Sequence, residues 1–175
     1  MKKYFISAVL IFLGTNFISA QTQKMGYVDS QVILAQLPEA IKAQGDLDAL
    51  TNQWSAHLDT MRANYQQELA DYQKKAATMT DKEKLKVQQR LVDEENNIVN
   101  YNKAKFAQGT GEIYKKQDEI FGPVKIKIYQ AIKDVAKKED MKFVFDKAGD
   151  VVLLYADPLY DLTYKVLDRL KTGGK

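Results

Sequence analysis

The 175-residue sequence predicts an α+β fold that is predominantly α: a long antiparallel helical hairpin standing on a small β body built from strands at the two chain ends. Three observations carry this reading. Pro38 and Pro123 bracket 84 residues rich in Ala, Gln, Lys, Leu and Glu and sparse in glycine, a composition that favours helix. Apolar residues inside that stretch recur at helical spacing. Strand-like patterns occur only outside it, in "MGYVD" near the start and in "MKFVFD" and "VVLLYA" near the end.

The first twenty residues stand apart. Lys2 and Lys3 precede an apolar run from Tyr4 to Phe17, and Ile18-Ser19-Ala20 closes it with small residues. This is the three-part layout of a secretory signal peptide, and the run is short for a membrane span of about 20 residues. Residues 1–20 are therefore read as a cleaved signal peptide and 21–175 as a single domain. Within that domain, 24–37 and 140–175 form the β body with short helices, and 38–139 form the helical arm. Removing Lys2 and Lys3 from 26 basic residues leaves 24 against 23 acidic ones, so the formal charge falls from +3 to +1. Without cysteine there is neither a disulfide framework nor thiolate chemistry.

The strand Met25-Gly26-Tyr27-Val28-Asp29 opens the domain. From Pro38 to about Met79 the apolar positions Leu47, Leu50, Trp54, Leu58, Met61, Tyr65, Leu69, Tyr72 and Ala76 repeat every eleven residues, which keeps them on one face of a nearly straight helix. A turn is expected at "ATMTDKEKL", because Thr80 and Glu83 have capping-box spacing. Beyond it Leu85, Val92, Val99, Phe106, Ile113 and Ile120 recur every seven residues, with Leu91 and Ile98 beside two of them. Folding back near residue 79 sets Leu69 against Leu91/Val92, Met61 against Val99, Trp54 against Phe106 and Leu47 against Ile113. Gly109 and Gly111 interrupt the returning helix. They mark either a possible hinge or a close approach to Trp54 or Leu50.

From Pro123 the series Val124, Ile128, Ile132, Val135 continues an amphipathic helix to about Lys138. Phe143 and Phe145 then alternate on one face of a strand. The continuously apolar Val151–Ala156, with Val152 and Leu154, is expected to pair with it as a hairpin to which the opening strand adds. After Asp157-Pro158, Leu159, Leu162, Val166 and Leu170 mark a closing helix. Tyr27, Val28, Phe143, Phe145, Val152 and Leu154 are thus the expected β-body and oligomer residues. So small a body calls for self-association.

Chemistry is sparse. His57 is the sole histidine, Gly109-Thr-Gly111 lacks the setting of a dinucleotide loop, and Asp93-Glu94-Glu95 diverge around a helix. No enzyme, cofactor or metal site is expected. Lys74, Lys75, Lys82, Lys84, Lys86 and Arg90 gather at the arm tip, either as solubilising charge or as an attraction for anionic lipid or lipopolysaccharide; nucleic acid is an improbable partner for an exported chain. Trp54, Met61, Tyr65, Tyr72, Tyr101 and Phe106 line the arm face, where they zip the hairpin and offer a binding surface for clients.

"GYVDSQVILAQLPEA" and "FVFDKAGDVVLLYADPLYDLTYKVLDRL" resemble the Skp/OmpH family of periplasmic outer-membrane-protein chaperones, through Y-V-D, F-D-K-x-G and A-D-P-x-Y-D-L-T-x-x-V-L. The resemblance implies a trimer whose shared strands carry three arms around a cavity. It implies an ATP-independent periplasmic holdase for unfolded outer-membrane proteins. Two departures stand out: the near-neutral charge, and Tyr164-Lys165 where the family often has an acidic pair. An envelope coiled-coil adaptor and a lipopolysaccharide or membrane-surface binder are the alternatives.

Overall fold

The computed structural model describes residues 23–150 and 152–173; the expected signal peptide lies outside the described residues. Strand β1 (Met25–Val28) leads into a short helix α1 (Ser30–Gln36), and the long helix α2 (Pro38–Lys75) follows directly. A 3-10 turn at Ala76–Thr78 reverses the chain into α3 (Asp81–Phe106). After a break come α4 (Glu112–Lys138), strand β2 (Phe143–Asp146), a 3-10 turn at Pro158–Tyr160 and α5 (Thr163–Thr172).

Each boundary has a local cause. Asp29 caps α1 by accepting from the Val32 N–H, and Leu37 is extended because a proline follows it. Pro38 sits at the first position of α2, where its missing N–H costs nothing. Thr80 caps α3 in a full capping box, accepting from the Glu83 N–H while the Glu83 carboxylate accepts from the Thr80 N–H at 2.8 Å. Those bonds from Thr80 hold the Glu83 carboxyl below its ordinary range. Pro123, expected at an element boundary, lies inside α4. Gly173 closes α5 in the left-handed conformation.

The base is a small core under a two-stranded sheet. β1 and β2 run parallel, with Met25 opposite Phe143 and Val28 opposite Asp146. Parallel pairing follows from the long helical crossover between them. Val28, Ile33 and Leu37 meet Leu162, Val166, Leu167 and Leu170 in the core. The arm helices complete it, with Ala40 and Ala43 of α2 and Val124, Ile128, Ala131 and Val135 of α4. The arm is therefore rooted in the base instead of merely attached to it.

The strand expected over Val151–Ala156 is not formed at residues 152–156, and Val151 itself lies outside the described residues. Val152 and Leu154 are 80% and 93% exposed. The other side of β1 is taken instead by the segment after Pro158, where the Leu162 N–H donates to the Tyr27 carbonyl at 2.8 Å. β1 is thereby occupied on both sides, whereas β2 pairs with β1 alone and keeps its outer edge, where the hairpin was expected, unpaired among the described residues of the chain.

Candidate functional site

The arm has an inner seam and an outer face. On α2 the eleven-residue stripe forms the seam: Leu47, Trp54 and Leu58 are buried, while Leu50, Met61, Tyr65, Leu69, Tyr72 and Ala76 are half-buried. On α3 the inward column is Lys84, Val87, Leu91, Glu94, Ile98, Tyr101 and Lys105. The heptad Leu85, Val92, Val99 faces outward, with exposures of 68%, 50% and 57%. This corrects the expected pairing: those three residues do not face α2. The seam admits long charged side chains, whose stems cover apolar surface while their heads reach water. Hydrophobicity alone therefore cannot distinguish it from the neighbouring column.

The fold-back register itself agrees with expectation. Trp54 and Phe106 meet edge to face at 6.1 Å, and His57 lies against Tyr101 at 4.9 Å. Nearer the tip the Gln88 amide donates to the Tyr72 hydroxyl at 2.8 Å, and Arg90 pairs with Glu68. Of the basic tip residues, Lys74, Lys75, Lys82 and Lys86 are exposed, whereas Lys84 is half-buried and 3.8 Å from Asp81. An open cleft of about 420 Å³ between the helices reaches from Asn64 to Met79.

Gly109 and Gly111 lie in the break between α3 and α4. Gly109 has φ +73°, and a Cβ on Gly111 would stand 2.7–2.9 Å from backbone atoms of Lys105 and Ala107. Both positions thus require glycine, for different reasons. Lys105, which sequence reasoning passed over, stacks over Trp54 at 4.5 Å and pairs with Glu112 across the break. Its signal was available only as a lysine one turn from an aromatic column.

At the base, side chains secure the chain ends. The Asp29 N–H donates to Thr163 Oγ1 at 2.9 Å, and the Ser30 and Ala148 N–H groups donate to Asp146 Oδ1 at 3.1 and 3.0 Å. Burial pushes the Asp146 carboxyl up, but the hydrogen bonds from Ser30 and Ala148 outweigh it and hold the group below its ordinary value. Burial and the carboxylates of Asp161 and Asp157 push the Tyr27 phenol up, so it stays neutral. Arg169 bonds Asp134 at 2.6 Å and Lys165 bonds Glu139 at 2.6 Å, fastening α5 to α4. Lys165 is thus the cation that Glu139 receives.

Beyond Tyr27 and Val28, which are buried, the sheet leaves apolar side chains uncovered. Phe143 is 52% exposed and Phe145 is 37% exposed. Met25, Tyr27, Phe145, Leu153, Tyr155 and Tyr160 contribute to an open groove of about 620 Å³.

Among the described residues no group of His, Asp and Glu side chains is placed to hold a metal, and no helix is long and apolar enough to cross a membrane. These features define a class first: a predominantly helical protein with a long two-helix arm on a small α+β base. The family follows from comparison. The model described as "Outer membrane protein (OmpH-like)" matches residues 24–170, and the chain belongs to that OmpH-like (Skp/OmpH) family. The crystal structure of an OmpH-like protein from Caulobacter crescentus CB15 superposes with a TM-score of 0.71 over 86% of this chain and 85% of that one. The two are 14% identical, so the likeness speaks for the fold. No curated relative matches the chain.

Proposed function

We propose that this protein is an ATP-independent holdase of the periplasm that binds unfolded outer-membrane proteins and prevents their aggregation. The observation that carries this is the outward column Leu85, Val92, Val99 on an arm too thin to cover it. Three exposed apolar side chains one heptad apart offer repeated weak contacts along an extended chain, without a pocket that would select one sequence. Affinity then comes from multiplicity, and release needs no nucleotide. Family membership supports the same reading, as does the Caulobacter protein, provisionally named an outer membrane chaperone.

Clients meet this outward column first, and the seam residues Trp54, Met61, Tyr65, Tyr72, Tyr101 and Phe106 act mainly by keeping the two helices together. The uncovered base face, with Phe143, Phe145, Val152 and Leu154, supports self-association into a trimer that carries three arms. A second copy there would cover the edge of β2 that stays unpaired among the described residues of one chain.

The test is suppression of aggregation of a urea-unfolded β-barrel protein on dilution, without nucleotide. Wild-type protein is expected to suppress it. A Leu85→Gln/Val92→Gln/Val99→Gln variant is expected to hold far less while keeping its helicity and melting temperature. A folded, oligomeric wild type that leaves aggregation unchanged refutes the holdase reading. Light scattering with and without client reads the trimer. Four exposed lysines at the tip favour a second contact, with anionic lipid or lipopolysaccharide. Wild type is expected to bind anionic vesicles, and reversing Lys82, Lys84 and Lys86 to Glu to abolish that binding; no binding by wild type refutes the contact.

A further inference from the structure

The outgoing side of the arm, α2, is one continuous helix, whereas the returning side breaks between Phe106 and Glu112. A two-helix ribbon bends only when one side changes length relative to the other, so bending concentrates at a break. At the same level the Thr51 hydroxyl donates to the Leu47 carbonyl at 2.8 Å, a back-bond that loosens a helix locally. The break itself is ordered. Gly111 and Thr110 N–H groups both donate to the Ala107 carbonyl, at 2.7 and 3.2 Å. Lys105, from the last turn of α3, places its ammonium 4.5 Å from the centre of the Trp54 ring on α2 and pairs with Glu112 in the first turn of α4. One cation therefore touches all three helices, and its side chain is only 21% exposed.

We propose that Lys105, Glu112 and Trp54 form a latch that holds the break at one length, and that its release is what lets the arm bend. The latch is a property of the arm and does not rest on client holding. Because the chain has no cysteine, Gln66→Cys and Gln117→Cys, both exposed and on either side of the break, are the only thiols in a spin-labelled variant. Labelled chains are diluted into unlabelled protein, and the distance between the labels is read by pulsed electron resonance.

In Glu112→Gln and in Lys105→Met, which keeps an apolar stem over Trp54, the distance distribution is expected to broaden. Amides of residues 107–113 are expected to exchange about threefold to tenfold faster, with the double variant no worse than the more affected single one. Val166 and Leu167 amides in the base should not change. Unchanged distributions in both variants overturn the proposal. So does faster exchange at the break without broadening, or an equal rise in exchange at the base, which would mean general destabilisation.

Discussion

Asp146 offers the sharpest test of how the two chain ends are joined. Its Oδ1 accepts from the Ser30 N–H at the start of α1 and from the Ala148 N–H in the turn after β2. Asp146→Ala leaves both part-buried donors without that acceptor. At about 1–1.5 kcal/mol each, the loss is about 2–3 kcal/mol, or about 5–10 °C in Tm for a chain of this size. Asp146→Asn keeps an oxygen but loses the charge, and should cost about half as much. Urea unfolding followed by circular dichroism at fixed protein concentration measures both, since association shifts the midpoint. A loss below about 0.5 kcal/mol in Asp146→Ala, or equal losses in the two variants, refutes the account. The sign with pH follows from the lowered folded value. The stabilisation is complete above the unfolded carboxyl value of about 3.9 and disappears as pH falls through the lower folded value. Wild type should therefore lose stability more steeply than Asp146→Asn on acidification from pH 5 to pH 3.

Other outcomes follow from the same structure. Gly26→Ala places a Cβ 3.0 Å from Leu162 Cδ1 and 3.2 Å from the Tyr160 carbonyl oxygen, and should cost about 1–3 kcal/mol in thermal unfolding. Gly45→Ala, on α2 with nothing within 4 Å of the new methyl, should instead gain about 0.5–1 kcal/mol; equal signs at the two sites would defeat the packing argument. Thr80→Ala removes the α3 cap and should cost about 1 kcal/mol, with faster hydrogen exchange at the Glu83 amide and none of the change reaching α5. Arg169→Met should leave the Asp134 carboxyl without the hydrogen bond that lowers it, raising its titration midpoint in carbonyl-resolved NMR.

The local chemistry of the sequence by itself determined the hairpin, its turn and its break. Thr80 and Glu83 close the capping box that their spacing announces, and Gly109 and Gly111 fall in the break after α3, where a positive φ and a close backbone approach favour glycine. The eleven-residue repeat of α2 faces inward as written, with every one of its positions from Leu47 to Ala76 buried or half-buried. The pairing of Met25–Val28 with Phe143–Asp146 was likewise legible, as the opening strand and the best alternating one. Tertiary structure alone decided which column of α3 meets α2. Leu85, Val92 and Val99 make the more regular apolar series, yet Val87, Leu91, Ile98 and Tyr101 are the ones turned inward. A two-helix seam is shallow enough for Lys84 to keep its head near water beside Asp81, while Lys105 is satisfied within it by Trp54 and Glu112. Residues 152–156 are strand-like by propensity, yet they form no strand although β2 keeps one edge open among the described residues of the chain. Propensity acts residue by residue; which segment meets an open edge is a property of the assembled chain.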